Sequence, residues 1–186
     1  MYQINKTVQS EGSSTKIFPL GISEDAEMTN VSVETASNGN SFLKFSFSLD
    51  GANLSHLEWP IDTAVEGWEK KMTSQMKRVK HIMTKFLEED RCVITADSFE
   101  KFCEQVITLL GNSYVGKKLR MKTVYSYNNY VSVPKYVPFM ETMDVEKTRL
   151  NITSFDKMEK DEAENPASLA STANAATEPA ESDLPF

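Results

Sequence analysis

Between Tyr114 and Tyr136 the chain places Lys117, Lys118, Arg120, Lys122 and Lys135 among Tyr114, Tyr125, Tyr127, Tyr130 and Tyr136, and no acid falls between Gly111 and Met140. Cations set beside flat rings suit a single strand of nucleic acid. The cations neutralise phosphates, and the rings stack on bases freed from a duplex, at about 1–3 kcal/mol per base. Lys118, Arg120 and Lys122 lie two apart, so on an extended strand they share one side. Lys44, on the polar side of an earlier strand, joins them as a candidate. Duplex binding is less favoured, because neither a recognition helix nor an arginine-rich arm is evident. The competing reading of the same block is a solvated strand face with half-buried tyrosines at its edges.

Other chemistry is poorly supported. His56 and His81 have no metal-ligand spacing to Cys, Asp or another His, and Gly116-Lys117-Lys118 lacks the preceding glycine of a phosphate loop. Glu88-Glu89-Asp90 stands beside Arg91 at an expected helix end, where acids are ordinarily just solvated. Cys92 and Cys103 make neither a Cys-x-x-Cys nor a disulfide framework and are expected as core thiols in a reducing compartment. No enzyme, cofactor or metal is therefore expected. The cations of Lys77, Arg78, Lys80, His81 and Lys85 either extend the basic track or simply solvate a helix.

The last residues form a second constellation. From Asp156 onward eight acids face only Lys157 and Lys160, a charge of -6 out of -7 for the whole chain, so the body is near neutral. Such asymmetry marks an interaction tail. The tail closes on Asp183, Leu184, Pro185 and Phe186, where a ring and an α-carboxylate together suit a partner offering an apolar pocket and a basic residue.

These four residues resemble the C-terminal tip of bacterial single-stranded-DNA-binding proteins, which ends in acids followed by Ile-Pro-Phe, with Leu184 standing where Ile is usual. The body looks more like a phage-encoded single-stranded-DNA-binding protein. The run Gly116 to Lys122, followed by Tyr130-Val131-Ser132-Val133-Pro134, is similar to a strand–turn–strand of phage OB-fold proteins. The resemblance implies an OB-fold that holds the strand and a tip that docks on replication, recombination and repair proteins such as a polymerase or primase-helicase.

The elements that must position these groups can be read from periodicity. Thr29–Thr35 is expected as a strand, then a turn at Asn38-Gly39-Asn40. In Ser41–Leu49, Leu43, Phe45, Phe47 and Leu49 alternate with polar residues, and after Asp50-Gly51 a partner strand follows at Leu54–Trp59. The period then becomes helical: Val65, Trp68, Met72, Met76, Val79, Met83 and Phe86 form one stripe, with Thr63 and Glu66 spaced as a capping box. A second helix is expected over Ser98–Leu110, capped by Asp97 with Glu100 and stopped by Gly111. Trp59 and Trp68 are expected in the core, with Trp59 beside Pro60 as an alternative stacking platform. Strands resume at Lys117–Tyr125, turn at Asn128-Asn129, return over Tyr130–Val133, and end with an edge segment limited by Pro134 and Pro138 and a strand at Leu150–Phe155.

The expected fold is mainly β with inserted helices (α+β): an OB-fold-like five-stranded barrel over residues 1–156, a helical insertion at about 63–111, and a disordered acidic tail over 157–186. The expected function is sequence-tolerant binding and protection of single-stranded DNA in phage replication, recombination and repair, in the cytoplasm, with no membrane partner and with homo-oligomers left open. The alternative is a phage structural or host-interaction protein that binds protein surfaces.

Overall fold

In the computed structural model of the chain, residues 16–161 are described. Six antiparallel strands and two helices follow in the order β1 (Gly21–Thr35), β2 (Ser41–Leu49), β3 (Ala52–Glu58), α1 (Trp68–Met83), α2 (Phe99–Leu110), β4 (Lys118–Tyr125), β5 (Val131–Ser132) and β6 (Met140–Thr142). The architecture is α+β, as the periodicities require. Hydrogen-bonded neighbours run β3-β2-β1-β4-β5, and β6 also pairs with β4. Cα atoms of β3 and β5, the two ends of this order, approach within 8 Å.

β2 spans the range its alternation predicts. Leu43, Phe45 and Phe47 are fully buried, and the Asp50-Gly51 turn has both residues at positive φ (50° and 83°), the twist that joins a tight hairpin to β3. β1 is twice as long as Thr29–Thr35 suggests. Its second half pairs with β2 and its first half with β4, with register shifts at Ser23/Ala26 and Met28/Asn30. Bulges of this kind bend a strand so that it can serve two neighbours. They also interrupt the alternation from which a strand is read.

The helices fall where the stripe places them, but their starts differ. α1 begins after Gly67 at φ 76°, with no side-chain cap, so Thr63 and Glu66 form no capping box. Val65 is left 44% exposed outside the helix. On α2 the cap is Ser98, whose side chain accepts from Lys101 N at 3.2 Å, whereas Asp97 pairs with the Lys101 ammonium at 2.7 Å. The inner sides of both helices meet the sheet in one core: Val79, Ile82 and Met83 from the first, with Phe86 in the turn just after it, and Phe102, Cys103, Val106 and Leu110 from the second. Both cysteines are free and buried, and burial pushes the Cys103 thiol up to about 11.

β4 departs most from expectation. Every residue from Leu119 to Val124 is buried, so neither side faces water. Leu119 and Met121 point into the core. Over the opposite side passes the irregular stretch that follows β6. Leu150–Phe155 is not a strand: Asp156 N donates to Thr153 O at 3.0 Å and closes a turn there. Lys157–Asp161, expected as the start of the tail, belongs to the domain. Tyr125 N donates to Lys157 O at 2.8 Å, and Asp161 N donates to Asn129 Oδ1 at 3.0 Å. The rest of the expected tail, including Asp183–Phe186, lies outside the described residues.

Candidate nucleic-acid interface

The basic block splits into two groups when its side chains are followed. Arg120 and Lys122 are 9% and 1% exposed. Arg120 bonds Glu141 at 2.6 Å and Glu24 at 2.9 Å; the Lys122 ammonium bonds Asp156 Oδ2 at 3.1 Å, Tyr136 Oη at 3.0 Å and Asn151 O at 3.1 Å. These two cations are therefore structural, contrary to the expectation that Lys118, Arg120 and Lys122 present one open row. The acids that engage them lie far away in sequence, so a stretch free of acids in sequence is not free of them in space. Lys118 reaches Asp25 at 3.1 Å, Lys44 reaches Glu34 at 3.0 Å, and Lys117 donates to the Phe86 carbonyl at 3.2 Å while staying exposed.

The tyrosines divide similarly. Tyr114 is core, 8% exposed, its ring edge-on to Phe86. Tyr127 and Tyr130 stand 87% and 73% exposed on the β4–β5 turn, whose backbone closes by Ser126 N to Tyr130 O at 2.7 Å. Tyr136 is 40% exposed, its hydroxyl held by Asp156 and Lys122. Tyr125 is half-buried, with the Lys160 ammonium 5.6 Å from its ring centre.

Between β3 and the β4–β5 hairpin lies an open groove of about 690 Å³, lined among others by Leu57, Lys71, Tyr125, Tyr127, Lys135 and Tyr136. It continues past Arg78 and Lys135 into a depression of about 490 Å³ beside Trp59, Lys70 and Lys71. It also joins a smaller one of about 250 Å³ against Lys77. Trp59 is 39% exposed and lies over Phe42, ring centres 4.5 Å apart, so it sits at the surface rather than in the core. Lys44, across the ladder from Leu57, sits on the outer sheet surface beside the groove and does not line it.

The cations of this track come mainly from α1. Lys70, Lys71, Lys77 and Lys135 form no ion pair among the described residues. Residues 70, 71, 74, 77 and 78 recur at helical steps and occupy one side of α1, turned toward the groove. That spacing is present in the sequence, where Glu66 and Glu69 beside Lys70 and Lys71 give it the look of an ordinary mixed-charge helix side. Lys80 pairs with Glu89 at 2.7 Å and lies outside the track. His81 is a framework residue: its Nε2 accepts from Phe139 N and Met140 N, both at 3.2 Å.

Acids lining the groove are engaged. Glu58 is 3% exposed and takes the Arg78 guanidinium on both oxygens at 2.6 and 2.7 Å, with His56 at 2.8 Å and Gln75 at 3.3 Å. Burial works against its ionisation, but the bonds from His56 and Arg78 prevail and hold its carboxyl below the usual range. Asp156 shows the same balance: burial opposes the charge, and the Tyr136 hydroxyl, the Thr153 amide and Lys122 outweigh it. The two pairs bolt α1 to β3 and the turn at Thr153 to β4. They leave the lysines as the uncompensated charge of the groove.

No cluster of three or more His, Cys, Asp or Glu side chains able to hold a metal ion occurs among the described residues. No helix among them is long and apolar enough to cross a membrane. No family model matches the sequence, and a search of the curated proteins finds no match to it.

Proposed function

We propose that the chain is a non-enzymatic, sequence-tolerant binder of single-stranded DNA, acting in replication, recombination and repair, with the strand lying in the groove between β3 and the β4–β5 hairpin. The observation that carries this reading is the pairing, along one open track, of Lys70, Lys71, Lys77 and Lys135 with the exposed rings of Trp59, Tyr127 and Tyr136. Cations spaced along a groove follow a phosphate backbone, and exposed ring faces accept bases without regard to sequence. The relevant set thus keeps Lys135, Tyr125, Tyr127, Tyr130 and Tyr136 and gains the lysines of α1. Arg120 and Lys122 drop out.

The strand order supports an OB-like barrel. β1 bridges β2 and β4, β5 returns alongside β3, and the helices enter between β3 and β4. In OB-folds the surface of the second and third strands and the loops after the first and fourth carry oligonucleotides. On that reading the turn bearing Tyr127 and Tyr130, between β4 and β5, corresponds to the second of those loops. By resemblance, the segment Asp183–Phe186 would recruit replication and recombination proteins.

The test is fluorescence anisotropy of a labelled oligo(dT) of about thirty bases, titrated with the full chain at low and moderate salt. Binding that weakens with salt at a log–log slope near -0.7 per phosphate, and that duplex competes for poorly, is the expected result. Absence of binding at low salt overturns the proposal and leaves a module that binds protein surfaces.

A further inference from the structure

Phe155 is 89% exposed, yet the turn that carries it is fastened from beneath. Asp156, 9% exposed, accepts from Thr153 N at 2.7 Å, from Thr153 Oγ1 at 3.1 Å, from the Lys122 ammonium at 3.1 Å and from the Tyr136 hydroxyl. A phenyl ring on a loose loop can fold back over nearby apolar surface. This one is held away from such a retreat by a carboxylate in the floor beneath it. Removing Lys122 and Asp156 from water costs free energy that their attraction at best offsets, so the pair contributes placement more than stability. What it places is a wall: the same carboxylate orients the Tyr136 ring and the turn beneath Phe155, and both residues line the groove.

The surroundings of that wall define its ligand. Lys71 and Lys135 line the same groove, so the occupant carries negative charge as well as a flat apolar surface. An unpaired base on its phosphate backbone meets both requirements. A protein helix laid on Phe155 would have to bring acids to those lysines. We infer that Phe155 is a base-stacking residue of the groove, held in position by the buried Lys122–Asp156 pair and sharing its wall with Tyr136. This inference rests on the single-strand reading above. Its ligand is the base itself, taken by its face and so without regard to sequence.

The experiment uses the full chain and its Phe155→Ala and Phe155→Trp variants, with oligo(dT) and with an abasic oligomer of the same length. Phe155→Ala is expected to weaken oligo(dT) binding by about 5- to 150-fold, as the loss of one stacked base should. Its salt slope should stay that of wild type, because no charge is removed. Phe155→Trp should keep near wild-type affinity, and oligo(dT) should quench its indole emission by more than it quenches the wild-type emission of Trp59 and Trp68. On the abasic oligomer, wild type and Phe155→Ala should bind alike. Equal binding of oligo(dT) by wild type and Phe155→Ala overturns the inference, as does an equal loss on the abasic oligomer, and either result leaves the single-strand reading in place. Failure of the wild-type chain to bind oligo(dT) at low salt overturns that reading and this inference together.

Discussion

At the scale of single residues, the molecule separates cations by burial and partner, and the separation predicts distinct phenotypes. Lys71 and Lys135 face the groove without an ion pair among the described residues, so Lys71→Ala with Lys135→Ala should leave stability within about 0.5 kcal/mol. The same double change should flatten the salt dependence of oligo(dT) binding by about 1.4 in log–log slope, two phosphate contacts at about 0.7 each. An unchanged slope would remove these lysines from the track. His81 makes a different prediction. Burial first, then the nearby Lys85 charge, lower its pKa from 6.5 to about 4, and two backbone amides donate to the same nitrogen, which must stay unprotonated. The unfolded chain then takes up this proton at higher pH than the folded one. Stability due to His81 is therefore complete above pH 6.5 and is lost as pH falls toward 4. Discounted for the ring's partial exposure, the loss is on the order of 2 kcal/mol. Glu58 and Asp156, with lowered pKa values, add their losses only at more acidic pH, in and below the ordinary carboxylate range. Urea unfolding at pH 7, 5.5 and 4 reads the His81 window directly, and a flat profile between the first two would contradict a neutral acceptor imidazole.

At the scale of elements, the interior of each helix was easier to read than its ends. The stripe from Trp68 to Met83 needs only a period of 3.6, which any helix with one buried side must show. A cap depends on which of two adjacent polar residues adopts extended backbone, and Asp97-Ser98 presents both. The structure chooses Ser98, at φ -143° and ψ 161°. Ser98→Ala should thus destabilise by about 1 kcal/mol, while Asp97→Ala, which loses an exposed pair with Lys101, should cost about 0.3–0.5 kcal/mol. Thermal unfolding of the two variants checks the order, and the reverse ranking would move the cap to Asp97. Among strands, β2 was legible because Leu43, Phe45 and Phe47 are buried on one side while Lys44, Ser46 and Ser48 alternate with them. β4 was legible in extent, Lys117–Tyr125 against Lys118–Tyr125, but its burial on both sides was not, because Arg120 and Lys122 break the apolar pattern that a doubly covered strand usually has. Their long stems pack while their charged ends find Glu141 and Asp156.

At the scale of the whole molecule, charge and topology meet at one place. Asp161 is bound to Asn129 at the tip of the β4–β5 hairpin, so the chain leaves the described domain beside Tyr127 and Tyr130. Residues 162–186 hold five acidic side chains and no lysine or arginine. A polyanion tethered at the mouth of a basic groove competes with phosphate at high effective concentration. Ending the chain after Asp161 is therefore expected to tighten oligo(dT) binding several-fold at low salt, with the gain vanishing as salt screens the tail. Equal affinity of the two forms at low salt would exclude that competition.

By itself the sequence determined the α+β class, the extent of β2, the two helical stripes, the hairpin turns at Asp50-Gly51 and Asn128-Asn129, and the acidity of the last thirty-one residues. Each of these rests on local periodicity, on residues tolerant of positive φ, or on composition, and all three are properties of neighbours in the chain. Which cations stay open, which tyrosine is core and where an exposed phenylalanine is pinned were decided only by the tertiary structure. An ion pair depends on distance in space. Glu24, Glu141 and Asp156 reach Arg120 and Lys122 across 96, 21 and 34 positions of sequence, a separation no local pattern records.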